Sequence, residues 1–167
     1  LILVLSTAVV TFAYSLTDDF WSLLRYGGDN YKRSLQMEAY AKAAEWVGLN
    51  SRPDETVAAT EIGIIGYSLD RRILDSCGLV TPEALEFLPV PREERGDEPI
   101  VMPVGFVRAT HPDFVVSLPA YVRPSLLKSP WFSANYELVR EVPCVSGNPR
   151  FYAVLIFRKR PGGTEVR

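Results

Sequence analysis

Five short runs rich in β-branched and aromatic residues punctuate this chain, and they constrain its fold more than any other feature. They lie at residues 56–60, 72–75, 113–118, 136–142 and 151–157. Helical stretches separate the first three, whereas the last two follow one another with only a turn between. Alternating strands and helices argue for parallel pairing, and a terminal strand pair argues for an antiparallel hairpin. The expected architecture is α/β: one small mixed β-sheet with flanking helices.

The intervening segments follow from local chemistry. Tyr26-Gly27-Gly28-Asp29-Asn30 marks a break. Leu35, Met37, Ala41, Ala44 and Val47 make an apolar stripe near helical spacing, and Gly48-Leu49-Asn50 ends that helix. Glu61 to Tyr67 suits a short helix. Ser68 to Arg72 is a polar turn, and Cys77 to Val80 is expected to prolong the strand at 72–75 after a bend. Thr81-Pro82-Glu83 opens a helix, with Thr81 as N-cap and Pro82 at its first position. Residues 88–99, with Pro89, Pro91 and Pro99, read as an exposed loop. Residues 100–110 are helical in tendency despite Pro103 and Gly105. Ala120 to Lys128 is a helix or turn that Ser129-Pro130 stops. Arg158 to Arg167 reads as a frayed tail.

The first 16 residues, LILVLSTAVVTFAYSL, carry no charge. A helix of that length spans about 24 Å, short of the ~30 Å hydrocarbon core. Two readings stand: the last turns of a membrane helix, or a helix or strand buried in a soluble fold. No basic n-region precedes the run, so a secretory signal is not expected. Tyr14, Phe20, Trp21 and Tyr26 suit a membrane interface and equally a core edge. With Leu1 rather than Met at the start, the chain reads as a fragment. The expected division is the end of a transmembrane helix at 1–20, a linker at 21–34, the α/β domain at 35–158 and a disordered tail at 159–167.

A net charge of −2, from 18 basic and 20 acidic residues, leaves no electrostatic basis for binding nucleic acid. The two cysteines, Cys77 and Cys144, make no CxxC pair, so a zinc or redox motif is excluded on spacing. Two buried free thiols are expected; a bridge between them would close a long loop. His111 is the only histidine, and it precedes Pro112-Asp113 in what reads as a turn. Neither a nucleophile elbow nor a metal-ligand spacing accompanies it, so no catalytic residue, metal or cofactor is expected.

Glu61, Tyr67 and Asp75 are the candidate ligand-binding residues. Gly63-Ile64-Ile65-Gly66 after a strand suggests a phosphate loop, but the third glycine of that fingerprint is missing and Glu61 would repel phosphate. Gly63 and Gly66 are instead expected to allow close helix–sheet packing. Glu61 and Asp75 lie at strand ends, where open sheets collect ligands. They would either bind sugar hydroxyls or a cation, or accept backbone N–H groups. For Asp75 the second is expected, at a bend where Gly78 takes a backbone angle closed to other residues. Tyr67, Trp131, Phe132 and Tyr136 would make either a sugar-stacking face or part of the core.

A wider pattern emerges in Ala43-Ala44-Glu45-Trp46-Val47, Arg52-Pro53-Asp54-Glu55-Thr56-Val57-Ala58, Glu61 to Tyr67, Arg72 to Glu83 and Pro112 to Val116. In that order and spacing it resembles the C-terminal extracytoplasmic region of bacterial membrane glycosyltransferases of the GT-C type. These are similar to the dolichyl-phosphate-mannose protein mannosyltransferase and arabinofuranosyltransferase families. Asp75-Ser76-Cys77-Gly78-Leu79-Val80-Thr81-Pro82 matches the family's D-x-x-G-L-x-x-P segment, which makes Gly63, Gly66, Asp75, Gly78, Leu79 and Pro82 the structural motif. The likeness covers roughly residues 38–118. It implies an upstream transmembrane bundle as partner and a domain on the extracytoplasmic side of the bacterial cytoplasmic membrane. It also implies transfer of sugar from a polyprenyl-phosphate donor to a glycan acceptor, by a catalytic acid in an early loop that this chain does not contain. The expected role is therefore accessory. The rivals are a non-enzymatic extracytoplasmic binding domain of another membrane protein, and a soluble α/β enzyme with residues 1–16 in its core.

Overall fold

A computed structural model describes residues 35–144 and 150–162. The chain divides into a unit of Leu1–Leu35 and one of Gln36–Arg167. The expected membrane run and linker at 1–34 lie outside the described residues, as do residues 163–167. Among the described residues no helix is long and apolar enough to cross a membrane.

Helix α1 occupies residues 35–50. Strand β1 (Thr56–Ala59), helix α2 (Ile62–Ser68) and strand β2 (Arg72–Asp75) follow. A 3-10 helix (Pro82–Phe87), the one-turn α3 (Arg92–Arg95) and α4 (Val104–Thr110) lead to β3 (Phe114–Ser117). Then come α5 (Pro119–Val122), a 3-10 turn (Leu126–Lys128), α6 (Pro130–Asn135), β4 (Tyr136–Pro143) and β5 (Ala153–Lys159). The five strands form one mixed sheet in the order β2-β1-β3-β5-β4. β1 pairs in parallel with β2 and with β3, while β5 runs antiparallel to both β3 and β4. The α/β fold and the single sheet are thus as the sequence implies.

Side-chain alternation along the strands builds two cores, one on each face. Val57 and Ala59 of β1, Phe114 and Val116 of β3, and Val154 and Ile156 of β5 pack with Tyr40, Ala43 and Val47 of α1 and Ile65 of α2. Ala58, Val115, Leu155 and Phe157 face the other way, onto Phe106 and Val107 of α4 and Trp131 and Phe132 of α6. Strands covered on both faces read as nearly continuous apolar runs, which is why 113–118 and 151–157 stand out in the sequence.

Several local expectations are corrected. The buried stripe of α1 is Ala39, Tyr40, Ala43, Ala44 and Val47, and Met37 is 50% exposed. Residues 76–80 form a turn, not a prolonged strand, because β2 stops where the Asp75 side chain takes over the backbone donors. Thr81 precedes a 3-10 helix and makes no side-chain cap; its hydroxyl accepts instead from the Asp75 N–H at 2.9 Å. Residues 88–99 contain the short α3, in which Arg95 is tied to nearby carbonyls. Helix begins at Val104, just after Pro103, so residues 100–103 are not helical. Ser129-Pro130 starts a helix rather than only stopping one. A register shift between Leu138 and Arg140 breaks the alternation of β4, and Leu138 is nearly half exposed. Arg158 and Lys159 belong to β5, paired with Phe114, Glu137 and Tyr136 across the sheet, so the tail begins later than expected.

Candidate functional site

The parallel strands β1, β2 and β3 all end at the same edge of the sheet. From β1 the chain moves to β2 on one side, with α2 packed on one face, and then to β3 on the other side, with α4 on the opposite face. Connections that leave in opposite directions open a crevice outside the strand ends, where ligands of open α/β sheets collect. Here that crevice lies between the ends of β1 and β3.

Small hydroxyls fill its base. Thr60 Oγ1 and Ser117 Oγ lie 3.2 Å apart across the crevice, and Ser76 Oγ donates to Thr60 Oγ1 at 3.3 Å. The Cys77 thiol donates weakly to the Thr60 carbonyl at 3.6 Å. Above them stands Glu61, the residue between β1 and α2. Its extended backbone makes it the N-cap of α2, yet its carboxylate caps nothing. Instead it accepts from the Tyr121 hydroxyl of α5 at 3.2 Å. Burial, then the Glu61 charge, pushes the Tyr121 phenol from 10.0 to about 12. Tyr40 of α1 brings a second phenol to the same carboxylate, and burial followed by Glu61 holds its pKa well above the ordinary value. The Tyr40 hydroxyl is buried and finds no hydrogen-bond partner among the described residues. Burial and, after it, Glu61 also raise the Cys144 thiol.

Asp75 plays a different part. It is fully buried, and its carboxylate accepts from the N–H groups of Cys77 at 2.9 Å, Leu79 at 2.6 Å and Val80 at 3.1 Å. These bonds, with Thr81 Oγ1 on the Asp75 N–H, close the turn at 76–80. Gly78 inside it has φ +81, and an added Cβ would stand 2.6 Å from Leu85 Cδ2. The positive φ strains any side chain there, and Leu85 would have to shift to admit one. Asp75 is therefore the backbone-binding residue of the turn, with both carboxylate oxygens engaged by N–H groups. Leu79 is displayed at 82% exposure, and Pro82 starts the 3-10 helix.

The other candidates do not converge on Glu61. Tyr67 is 90% exposed, six residues beyond Glu61 and about 9 Å along the α2 axis. Trp131, Phe132 and Tyr136 are core residues, Phe132 stacked on Tyr136 at 4.8 Å, so they make no sugar-stacking face with Tyr67. Gly63 is corrected as a packing residue, since a Cβ there would meet nothing within 4 Å; at Gly66 the nearest atom is Ile73 Cγ1 at 4.0 Å. His111 caps α4 in a left-handed conformation beside Trp131. Cys144 is buried but Cys77 only partly so, and both are free thiols. Among the described residues no three His, Cys, Asp or Glu side chains stand where they could hold a metal ion.

Sequence reasoning missed Tyr40, Tyr121, Thr60, Ser76 and Ser117. For Tyr40 a signal existed: on the correct helical face it is the one phenol among alanines. The others acquire meaning only when separate strand ends meet.

These features define a three-layer α/β domain with a mixed sheet and a polar crevice at its topological switch point. Residues 29–157 match the family model of a domain of unknown function, DUF8728, and the chain belongs to that family. No curated protein and no solved structure matches the chain.

Proposed function

We propose that this chain is the extracytoplasmic accessory domain of a polyprenyl-phosphate-sugar-dependent membrane glycosyltransferase of the bacterial cytoplasmic membrane. In this reading it packs with an upstream transmembrane bundle of the same protein and positions the glycan acceptor at the Glu61 crevice. The observation that carries the binding role is the Glu61 carboxylate at the strand ends, which caps no backbone N–H and accepts from the Tyr121 hydroxyl at 3.2 Å with the Tyr40 phenol beside it. A carboxylate and two phenols set among small hydroxyls offer several acceptors and donors at short range, the complement of a polyol. The segments that resemble the glycosyltransferase region, Ala43–Val47 through Pro112–Val116, supply the elements that build this edge of the sheet, which supports placing the two together.

The test uses the full chain in lipid nanodiscs and a panel of mannose- and arabinose-terminated oligosaccharides, with binding followed by calorimetry. Losing one hydrogen bond to a charged group costs about 1.5–3 kcal/mol, so Glu61→Gln should weaken binding roughly ten- to a hundredfold. Tyr40→Phe should weaken binding too, while leaving the melting temperature unchanged or higher. Absence of binding across the panel, or affinity indifferent to both substitutions, overturns the acceptor role. The chain should transfer no sugar from polyprenyl-phosphate donors. Turnover that disappears with Glu61→Gln would place the active site here and end the accessory reading.

A further inference from the structure

A cavity of about 780 Å3 opens between the 76–80 turn and residues 85–101, beyond the end of β2. Its size lies in the range of small-molecule sites, about 300–1,000 Å3. Leu85, Leu88, Val90 and Ile100 give it apolar walls, and Cys77 and Arg95 add polar groups. Leu85 and Ile100 are half exposed, so apolar surface that would otherwise face water lines the entrance.

The charge pattern narrows the ligand. Arg95 donates through Nε to the Val90 carbonyl at 3.2 Å and through Nη1 to the carbonyls of Glu98 at 2.8 Å and Gly96 at 3.4 Å. All three acceptors are neutral, so the guanidinium is held in place with its charge uncompensated. The neighbouring acids are engaged elsewhere. Asp97 pairs with Arg92 at 2.7 Å, Glu98 with Arg150, and Glu94 accepts from the Val104 N–H at 2.8 Å. Among the described residues Arg95 has no carboxylate partner. Asp97 also lines the cavity, which disfavours a doubly charged ligand.

We infer that this cavity binds an amphipathic monoanion, an apolar chain ending in a carboxylate, with the carboxylate against Arg95 and the chain along Leu85, Leu88, Val90 and Ile100. Nε and Nη1 are spent on the Val90, Gly96 and Glu98 carbonyls, so the carboxylate accepts charge-assisted hydrogen bonds from the two remaining N–H groups on Nη2. Apolar walls supply the rest of the affinity by burying hydrocarbon. This cavity adjoins the Glu61 crevice at Ser76 and Cys77, but its apolar walls are its own and the inference does not depend on that crevice taking a glycan.

Cys77 lines the cavity and reports on it. Burial, and then Asp75, raises its thiol pKa, so alkylation by iodoacetamide is slow and is best followed above neutral pH. The full chain in nanodiscs is alkylated with and without octanoate, and modification of Cys77 and Cys144 is read separately by mass spectrometry. At about ten times its dissociation constant, octanoate should slow Cys77 alkylation about tenfold, from the factor 1 + [L]/Kd, and leave Cys144 unchanged. Octanol should protect far less. Arg95→Gln should abolish protection by octanoate. Because Arg95 also ties the loop, Leu85→Glu provides a second variant that leaves those bonds intact and should abolish protection as well. An unchanged Cys77 rate overturns the site. So does equal protection by octanol, an equal slowing at Cys144, or protection that survives Leu85→Glu.

Discussion

At the residue scale, two carboxylates that look alike in the sequence do opposite things. Asp75 ends strand β2, and Glu61 lies just past the end of β1. Asp75 turns inward and meets three backbone N–H groups, while Glu61 meets two phenols and leaves backbone donors alone. Replacing Asp75 by Ala strands the N–H groups of Cys77, Leu79 and Val80, some of which water can reach. The expected loss is about 1–3 kcal/mol of stability, measured by urea unfolding with an unchanged slope. The inward role of Asp75 was legible, because an acid followed by Gly at its third position and Thr-Pro shortly after is turn chemistry. The setting of Glu61 was not. Tyr121, which donates to it, lies 60 residues after it, and Tyr40, the phenol beside it, 21 before; no local rule links such distances.

At the element scale, strands were read better than helices. β2 nevertheless ends sooner than the sequence implies, since the Asp75 side chain closes a turn over residues expected to prolong the strand. The stripe of α1 was displaced because alanines fill several faces of that helix, and periodicity discriminates poorly among small residues. Ser129-Pro130 shows a second ambiguity. Proline ends one helix and suits the first turn of the next equally well. Here Ser129 Oγ accepts from the Phe132 N–H at 3.3 Å and Pro130 begins α6. Ser129→Ala should therefore cost about 1 kcal/mol, seen as a lower thermal midpoint by circular dichroism. A midpoint that does not move would mean that packing of Trp131 and Phe132 alone holds α6.

At the scale of the whole molecule, buried phenols link the two cores to pH. Tyr40 packs on one face of the sheet and Tyr136 on the other, and Tyr121 stands at the switch-point crevice. Burial raises all three phenols; for Tyr40 and Tyr121 Glu61 adds to it, and for Tyr136 Asp113 does. A raised pKa means that folding favours the protonated phenol. That contribution is fully present below the ordinary value of 10.0 and is lost as pH climbs through the raised values, about 12 for Tyr121. Stability should fall between about pH 10 and 12, and the phenolate absorbance due to Tyr121, read as the difference from Tyr121→Phe, should rise together with loss of secondary structure. That difference appearing near pH 10 in a still folded protein would contradict the burial. What the sequence by itself determined was the class of fold, the five strands and the turn at Asp75. Each depends on alternation or on chemistry within a few residues, which a linear reading can see. Only the tertiary structure decided which strand lies beside which, and therefore that Tyr40, Glu61 and Tyr121 share one crevice and that Arg95 faces an apolar cavity. The physical reason is that strand order is set by burying both faces of the sheet at once, a property of the assembled core that no single segment carries.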